Sequence, residues 1–511
     1  MSGKRALPEH ASLRHLKLEA KRRRAAGEFP SLHEAQLAVA REHGQPSWAA
    51  LRTAVGDAAA GGEGHAVAQL RWIIARFGGA GEPGWLAPDE AELRGPFTGE
   101  FLAVIPPDRL IARITAVAPI LRAELAVTID TPFTAQGQLS GHLVMAVTEP
   151  RPPYRLTGVQ ERRLGTRISD PRTQAPPAAA AGPVPDQVTA LGAAASARLG
   201  LVGLALAGAS AGGPPWTSVT GWASLERGEP LRAGHAFPAC SVTMAVTAAA
   251  VLCLAAAGQL RLDDPANSHL TAVRLADDAV TVRELLAHTA GVTEPAAVFA
   301  PAVPALAAVT GPVIACSGKR GTFSPAQAGY AALGEIIAAR TGLAYADAVS
   351  RLVLRPLGML SSWFPRAWPT GPQSSGPAPV TGYDVAADET FTPAAGEVSV
   401  FPAAAGLWTT AADLARFGLG WPSLVPRSLA AQALRPHATQ PNGIDAGLGW
   451  AVNTAAGLAG IAGEAAGAGV SLLVSADGRH ACAALTNRQL YIEPVNGGVL
   501  QVLRGSGARV E

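Results

Sequence analysis

The chain has 511 residues, which at roughly 150 residues per domain sets a prior of about three domains. Lys and Arg total 41 against 39 Asp and Glu, a net charge of +2 that argues against a dedicated nucleic-acid binder with its large basic excess. Charged residues make up 16% and hydrophobic residues 48%, enough apolar material for large cores and too much for wholesale disorder.

Residues 1–56 carry two helical patterns. Leu13, Leu16 and Ala20 recur at helical spacing, as do Leu32, Ala35, Leu37 and Val39. Phe29-Pro30-Ser31 separates them, and Ser31 with Glu34 three residues on has the form of a capping box. A helical hairpin is expected. The stretches LPEHASLRHLKLEAK and AQLAVAREHGQPSWAALR resemble a short helical module that precedes ankyrin-type domains in bacterial proteins. Lys21-Arg22-Arg23-Arg24 reads as a solvated helix end, with contact to an acidic protein partner as the functional alternative.

A Gly/Ala linker is expected over 58–64. Residues 65–168 read as a small α+β domain, with helices over 67–77 and 108–120 followed by strands over 122–130, 142–148 and 154–160. The segment GPFTGEFLAVIPPDRLIARI, followed by these strands, resembles the NTF2-like (nuclear transport factor 2-like) domain. The resemblance implies a cone able to hold a small molecule, or a scaffold. Residues 171–186, rich in Pro and Ala, are expected to be a linker to a large domain over 187–511.

Within that domain, 199–207 and 217–224 read as a strand pair around the turn Gly212-Gly213-Pro214. Ser241-Val242-Thr243-Met244 then opens an apolar helix running to about residue 257. A serine at such a helix mouth is either an N-cap or a nucleophile whose oxyanion is served by backbone N–H groups. Cys240, Cys253, Cys316 and Cys482 are too few for a disulfide framework and too scattered for a metal site, so no metal or cofactor is expected. The start, Met1-Ser2-Gly3-Lys4-Arg5, has no apolar leader, and the run 244–258 is shorter than the ~20 residues of a membrane span. A soluble, cytoplasmic protein with no membrane partner is expected.

The stretch GHAFPACSVTMAVTAAAVLCLAAAGQLRLDDP resembles the active-site helix of serine β-lactamase-like and penicillin-binding-protein-like proteins of the class C and esterase type. The likeness continues through TVRELLAHTAGV, GTFSPAQAGYAALGEIIAARTGLAYADAVSRLVLRPLGM, AAGLWTTAADLARF, GIDAGLGWAV and GIAGEAAGAGVSLLVSADGRHACAALTN, in that order. It implies an α+β fold, an antiparallel sheet with a helical lobe beside it and a site between them. Fold does not carry function, so each catalytic position matters by itself.

The resemblance implies a nucleophile motif S-x-x-K, whose lysine faces the serine from one helical turn on. Here Ser241 is present and Met244 stands at the lysine position. The second motif, Y-x-N, falls on Pro325 and Gln327, and the third, K-T-G or H-x-G, on Ile461-Ala462-Gly463. The serine and the glycine survive, but every proton-handling group is replaced by one that cannot titrate. General-base assistance is worth roughly 10²–10⁴-fold, about 3–5 kcal/mol, so a bare hydroxyl attacks too slowly to be useful. Substitute groups are Glu464, whose carboxylate would be raised in an apolar site, and His288. His235 reads as a loop histidine, Tyr330 as core and the Cys240 thiol as pointing away from the site.

These residues imply a non-hydrolytic, ligand-binding or regulatory relative. Its cleft would be formed by Ser241, Met244, Pro325, Gln327, Ile461 and Gly463, suited to a small and mostly apolar ligand. The alternative is a serine hydrolase or acyltransferase acting on an ester or amide, with Ser241 as nucleophile and an unconventional base.

Overall fold

A computed structural model describes residues 23–24, 28–29, 31–42, 65–77, 79–80, 85–104, 107–116, 126–131, 134–139, 142–148, 155–163, 170–173, 177–295, 298–369, 376–386, 390–440, 444–454 and 456–505. The helical pattern of Leu13, Leu16 and Ala20 and the 58–64 linker lie outside them. The chain divides into two compact units, 1–161 and 162–511.

The first unit holds helices α1 (Leu32–Glu42), α2 (His65–Phe77), α3 (Glu90–Leu93), α4 (Gly99–Val104) and α5 (Pro107–Ala116). Strands β1 (Ala126–Thr131), β2 (Thr134–Leu139), β3 (His142–Thr148) and β4 (Leu156–Arg163) follow and lie side by side in chain order. The Ser31 hydroxyl accepts the Glu34 N–H at 3.1 Å, one half of the expected capping box. Leu70, Ile73, Phe77, Leu93, Phe97 and Leu156 form this unit's core. Strand β2, Thr-Ala-Gln-Gly-Gln-Leu, alternates Thr134, Gln136 and Gln138 with Ala135, Gly137 and Leu139, but only one of the latter is a large apolar residue, so its strand signal is weak.

The second unit is built on an antiparallel sheet with helices on both faces. In chain order its elements are β5 (Ala178–Ala181), α6 (Asp186–Leu199), β6 (Gly203–Ser210), β7 (Trp216–Ser224), β8 (Glu229–Pro230), β9 (Phe237–Pro238), α7 (Thr243–Ala256), α8 (Val282–Leu286) and α9 (Gln327–Thr341). There follow β10 (Trp408–Thr409), α10 (Ala411–Gly420), β11 (Ala438–Thr439), β12 (Asp445–Ala446), β13 (Ala451–Asn453), β14 (Leu458–Ala465), β15 (Ala468–Ser475), β16 (His480–Thr486) and α11 (Glu493–Leu503). Among the described residues the sheet has ten strands, ordered β11-β12-β13-β14-β15-β16-β6-β7-β5, with β8 also paired to β7.

Alternation along the central strands explains both faces. Leu204 and Leu206 of β6, Leu473 of β15 and Cys482 and Ala484 of β16 pack with Val188, Leu191, Val495 and Val499 of α6 and α11. Their neighbours one residue along, Ala205, Ala207, Leu472, Val474, Ala481 and Ala483, join the other cluster with α7, α9 and α10. A period of two therefore feeds two cores from one sheet. Helix α7 is apolar on every side because it is enclosed on every side, from Thr243 to Leu252.

Two expectations change here. The Pro/Ala stretch expected as a linker supplies β5, whose four exposed alanines pair with Thr217–Thr220 through backbone bonds alone. The strand expected over 199–207 is instead the end of α6 followed by β6, with the left-handed Gly200 closing the helix.

Candidate functional site

Ser241 sits in a short 3₁₀ turn, Cys240–Val242, that runs straight into α7. The turn is held from behind: β9 pairs antiparallel with β10, and the Ala239 N–H donates to the Leu407 carbonyl at 2.8 Å. Cys240 has φ +45°, a left-handed backbone that costs a non-glycine residue about 1–2 kcal/mol. The turn itself takes up the N–H groups that follow the serine: Val242 donates to the Ala239 carbonyl at 3.0 Å and Thr243 to the Cys240 carbonyl.

Strand β14 passes directly over this turn. A Cβ on Gly463 would lie 2.6 Å from the Ser241 nitrogen and 2.8 Å from the Cys240 Cβ, a clash with backbone that leaves room only for glycine. The preceding strand β13 pairs with Leu458, Ala459 and Gly460 and stops there, so the edge of β14 from Ile461 onward is open beside Ser241.

Ser241, Gln327, Glu464, Glu397 and Ser399 line one pocket together with Phe299, Trp368 and Trp408, around a cavity of about 50 Å³. The Trp368 and Trp408 rings meet edge to face at 83°, centroids 4.9 Å apart. Among the described residues that line it there is no Lys, Arg, His or Tyr. The Gln327 Oε1 is buried and has no hydrogen-bond partner.

The other residues singled out in the sequence are placed elsewhere. Met244 is 8% exposed and belongs to the core cluster. Pro325 is exposed on the segment leading to α9. Ile461 packs partly buried against the core, and Gly463 serves as the close approach under Ser241. The pocket carries Glu397, Ser399 and Glu464 beside its aromatic rings, and Met244, Pro325 and Ile461 are not among its described lining residues.

His288 is not in the pocket. Its ring packs against Tyr330 (4.9 Å) and Phe323 (5.8 Å), its Nδ1 accepts the Ala326 N–H at 3.4 Å, and its backbone is left-handed with φ +56°. Burial lowers its pKa from the ordinary 6.5 to about 4, so the ring is neutral near pH 7. Tyr330 is buried and donates its hydroxyl hydrogen bond to the Leu286 carbonyl at 2.9 Å. His235, expected in an exposed loop, is buried there. Its Nδ1 accepts the Arg232 N–H at 2.9 Å and its Nε2 lies 3.0 Å from Glu229. Burial and the charge of Glu464 push the Cys240 thiol up to about 12, which keeps it protonated. No group of His, Cys, Asp or Glu among the described residues is arranged to hold a metal ion.

Sequence reading missed Glu294. Helix α9 starts after Ala326, which has no side chain to cap it. The Glu294 Oε2 accepts the Gln327 N–H at 2.5 Å and the Ala328 N–H at 3.4 Å, from 33 residues away. This fixes Gln327 at the pocket mouth. The only signal in the sequence was a helix start without a capping residue.

Comparison with known proteins agrees with this architecture. The Beta-lactamase family matches residues 188–500, and the chain belongs to that family. A search of curated proteins gave no match. The penicillin-binding protein from Bacillus halodurans superposes with a TM-score of 0.54 at 19% identity, over 62% of this chain and 100% of that one. The octameric penicillin-binding protein homologue from Pyrococcus abyssi gives 0.51 at 21% identity, over 60% and 74%. The D-amino acid amidase from Ochrobactrum anthropi SV3, complexed with D-phenylalanine, gives 0.51 at 21% identity, over 62% and 98%. At these identities the likeness is one of fold. No helix among the described residues is long and apolar enough to cross a membrane.

Proposed function

We propose that this chain is a β-lactamase-family protein that binds a small molecule beside Ser241 and does not hydrolyse it at a useful rate. The observation that carries this reading is the pocket's side-chain set: Ser241 is there, but among its described lining residues there is no lysine, tyrosine or histidine to take its proton. The position one turn after Ser241 holds Met244, turned into the core. Its thioether has neither charge nor basicity near neutral pH. The N-terminal 1–56 hairpin, with its basic run, and a 65–168 domain of NTF2-like form are proposed as contact surfaces or a second small-molecule cone. The setting is proposed to be the cytoplasm.

A second reading is favoured by one observation. Glu464 lines the same pocket as Ser241, and a carboxylate there can serve as the base for slow acyl transfer from an ester or amide. A fluorophosphonate probe separates the two. The full chain is incubated with the probe and digested, and the Ser241 peptide is weighed by mass spectrometry. The binding reading expects no stoichiometric adduct. A full adduct that disappears in Ser241→Ala and slows in Glu464→Gln would establish the acyl-transfer reading instead.

A further inference from the structure

A cavity of about 50 Å³ has room for a few water molecules, whereas pockets that hold a small organic molecule run to roughly 300–1,000 Å³. A ligand beside Ser241 therefore needs a wall to move. The inner wall is fixed by its neighbours. Ser241 sits on a turn tied to Leu407 and closely approached by Gly463, Trp408 is buried, and Glu464 and Ala465 belong to the ten-stranded sheet. The outer wall is held differently. Its strand Phe299–Ala300 pairs antiparallel with Val398–Ser399 in a separate two-stranded sheet, Phe299 opposite Ser399 and Ala300 opposite Val398. Pro301 follows directly and has no N–H with which to lengthen that ladder. Val398, Ser399 and Val400 are buried and anchor their side of it. The other side is pinned near its ends, where the Val400 N–H donates to the Val298 carbonyl at 3.0 Å and the Val303 N–H to the Arg366 carbonyl at 2.8 Å.

We propose that Phe299 is a plug and residues 298–303 the strap that carries it, so that this structure is the closed state and a ligand reaches Ser241 when the strap lifts. This adds the gating of the site and rests on the premise, common to both readings above, that the pocket takes a small molecule. The alternation along the strap supports it. Val298 and Ala300 pack partly buried against the core, while Phe299 between them turns to the other face and lines the pocket. The Phe299 ring is still 38% exposed. It gains only part of the stabilisation of a fully buried ring, so lifting it costs correspondingly less. A ladder of two residue pairs outside the main sheet is the kind of element that opens locally while the rest of the fold stays intact. The wall that stays behind carries Trp368 and Trp408, edge to face at 4.9 Å, and offers an apolar surface to the part of a ligand that takes the ring's place.

The test reads access to the pocket directly. Ser241→Cys in the full-length chain supplies a thiol there. Its modification by benzyl methanethiosulfonate is timed by peptide mass spectrometry, which separates it from the four native cysteines. In that background Phe299→Ala is expected to speed the reaction about tenfold, because the plug is gone. Ala300→Cys with Val398→Cys joins the two strands at paired positions and leaves Phe299 in place. The cross-linked protein is expected to react about tenfold more slowly than the same protein after reduction and removal of the reductant. A rate unchanged by loss of the ring, or equal in the cross-linked and reduced proteins, overturns the proposal. Either comparison decides the matter where the other variant fails to fold. Fluorophosphonate labelling of the wild-type chain keeps this inference apart from the function proposed above. Adduct on Ser241 with the gating intact removes the non-hydrolytic reading alone, and no adduct with the gating absent removes this one alone.

Discussion

At the scale of single residues, the family's chemistry has been replaced by packing. Met244 follows Ser241 by one helical turn but contributes to the core cluster around α7, 8% exposed among Ala245, Ala248 and the residues of α9. A polarisable thioether fills an irregular gap there without needing a polar partner. Met244→Lys places an ammonium in that gap. The expected loss is about 1–3 kcal/mol, measured as a lower urea midpoint with unchanged slope, because the new charge has no described counter-charge to replace its water. If the variant is as stable as the wild type and acquires a fluorophosphonate adduct on Ser241, the surroundings are still arranged for catalysis and only the base is gone. Gly463 makes the same point from the other side: its missing side chain is required by the Ser241 backbone itself, so its retention follows from packing whether or not chemistry occurs.

At the scale of elements, what could be read from the sequence depended on where each signal was stored. Helix α7 was legible because a buried helix writes its whole environment into an uninterrupted apolar run. Strand β5 was not, since a tetra-alanine edge strand pairs through its backbone and carries no pattern. The Glu294 cap on α9 was invisible for a related reason: its two partners are distant in the chain. Helix α8 has the opposite character, a capping box spelled out locally. The Thr281 hydroxyl accepts the Glu284 N–H at 3.2 Å, and the Glu284 carboxylate accepts the Thr281 N–H at 2.8 Å and is gripped by Arg320. This short helix sets Leu286, whose carbonyl takes the Tyr330 hydroxyl, and His288 beyond it. Thr281→Ala is expected to cost about 1 kcal/mol and Thr281→Ser much less, compared by urea unfolding. Equal losses in the two variants would show that the methyl packing of Thr281 matters and its hydroxyl does not.

At the scale of the whole molecule, the site was half legible. Ser241, Gln327, Glu464 and the glycine beneath the serine came from ordered motifs in a single family. The aromatic and acidic wall around Phe299, Trp368 and Glu397 did not, because it is assembled by segments between the motifs. The same long-range assembly governs the response of the second unit to acid. His288 titrates at about 4 in the fold against an ordinary 6.5, because its ring is buried without a charge partner. The unfolded chain therefore takes up that proton first as pH falls. The stabilisation from a neutral His288 is fully present above pH 6.5 and is lost as pH falls through 4, a contribution of about 3 kcal/mol. Asp170 acts lower. Arg172 grips it at 2.7 Å and the Phe391 N–H donates to it at 3.1 Å, tying residues 170–173 to the backbone near residue 391 and lowering its pKa from 3.8 to about 2. Its contribution is present above pH 3.8 and is lost as pH falls through 2, about 1–2 kcal/mol with its half-exposed arginine partner in water. Stability measured by urea unfolding is thus expected to fall in two windows. His288→Asn suits the left-handed backbone at that position and removes the titrating ring. It should flatten the window between pH 6.5 and 4 and leave the lower one in place. An unchanged slope in the upper window would mean that His288 is already hydrated in the fold and that another group controls the acid response.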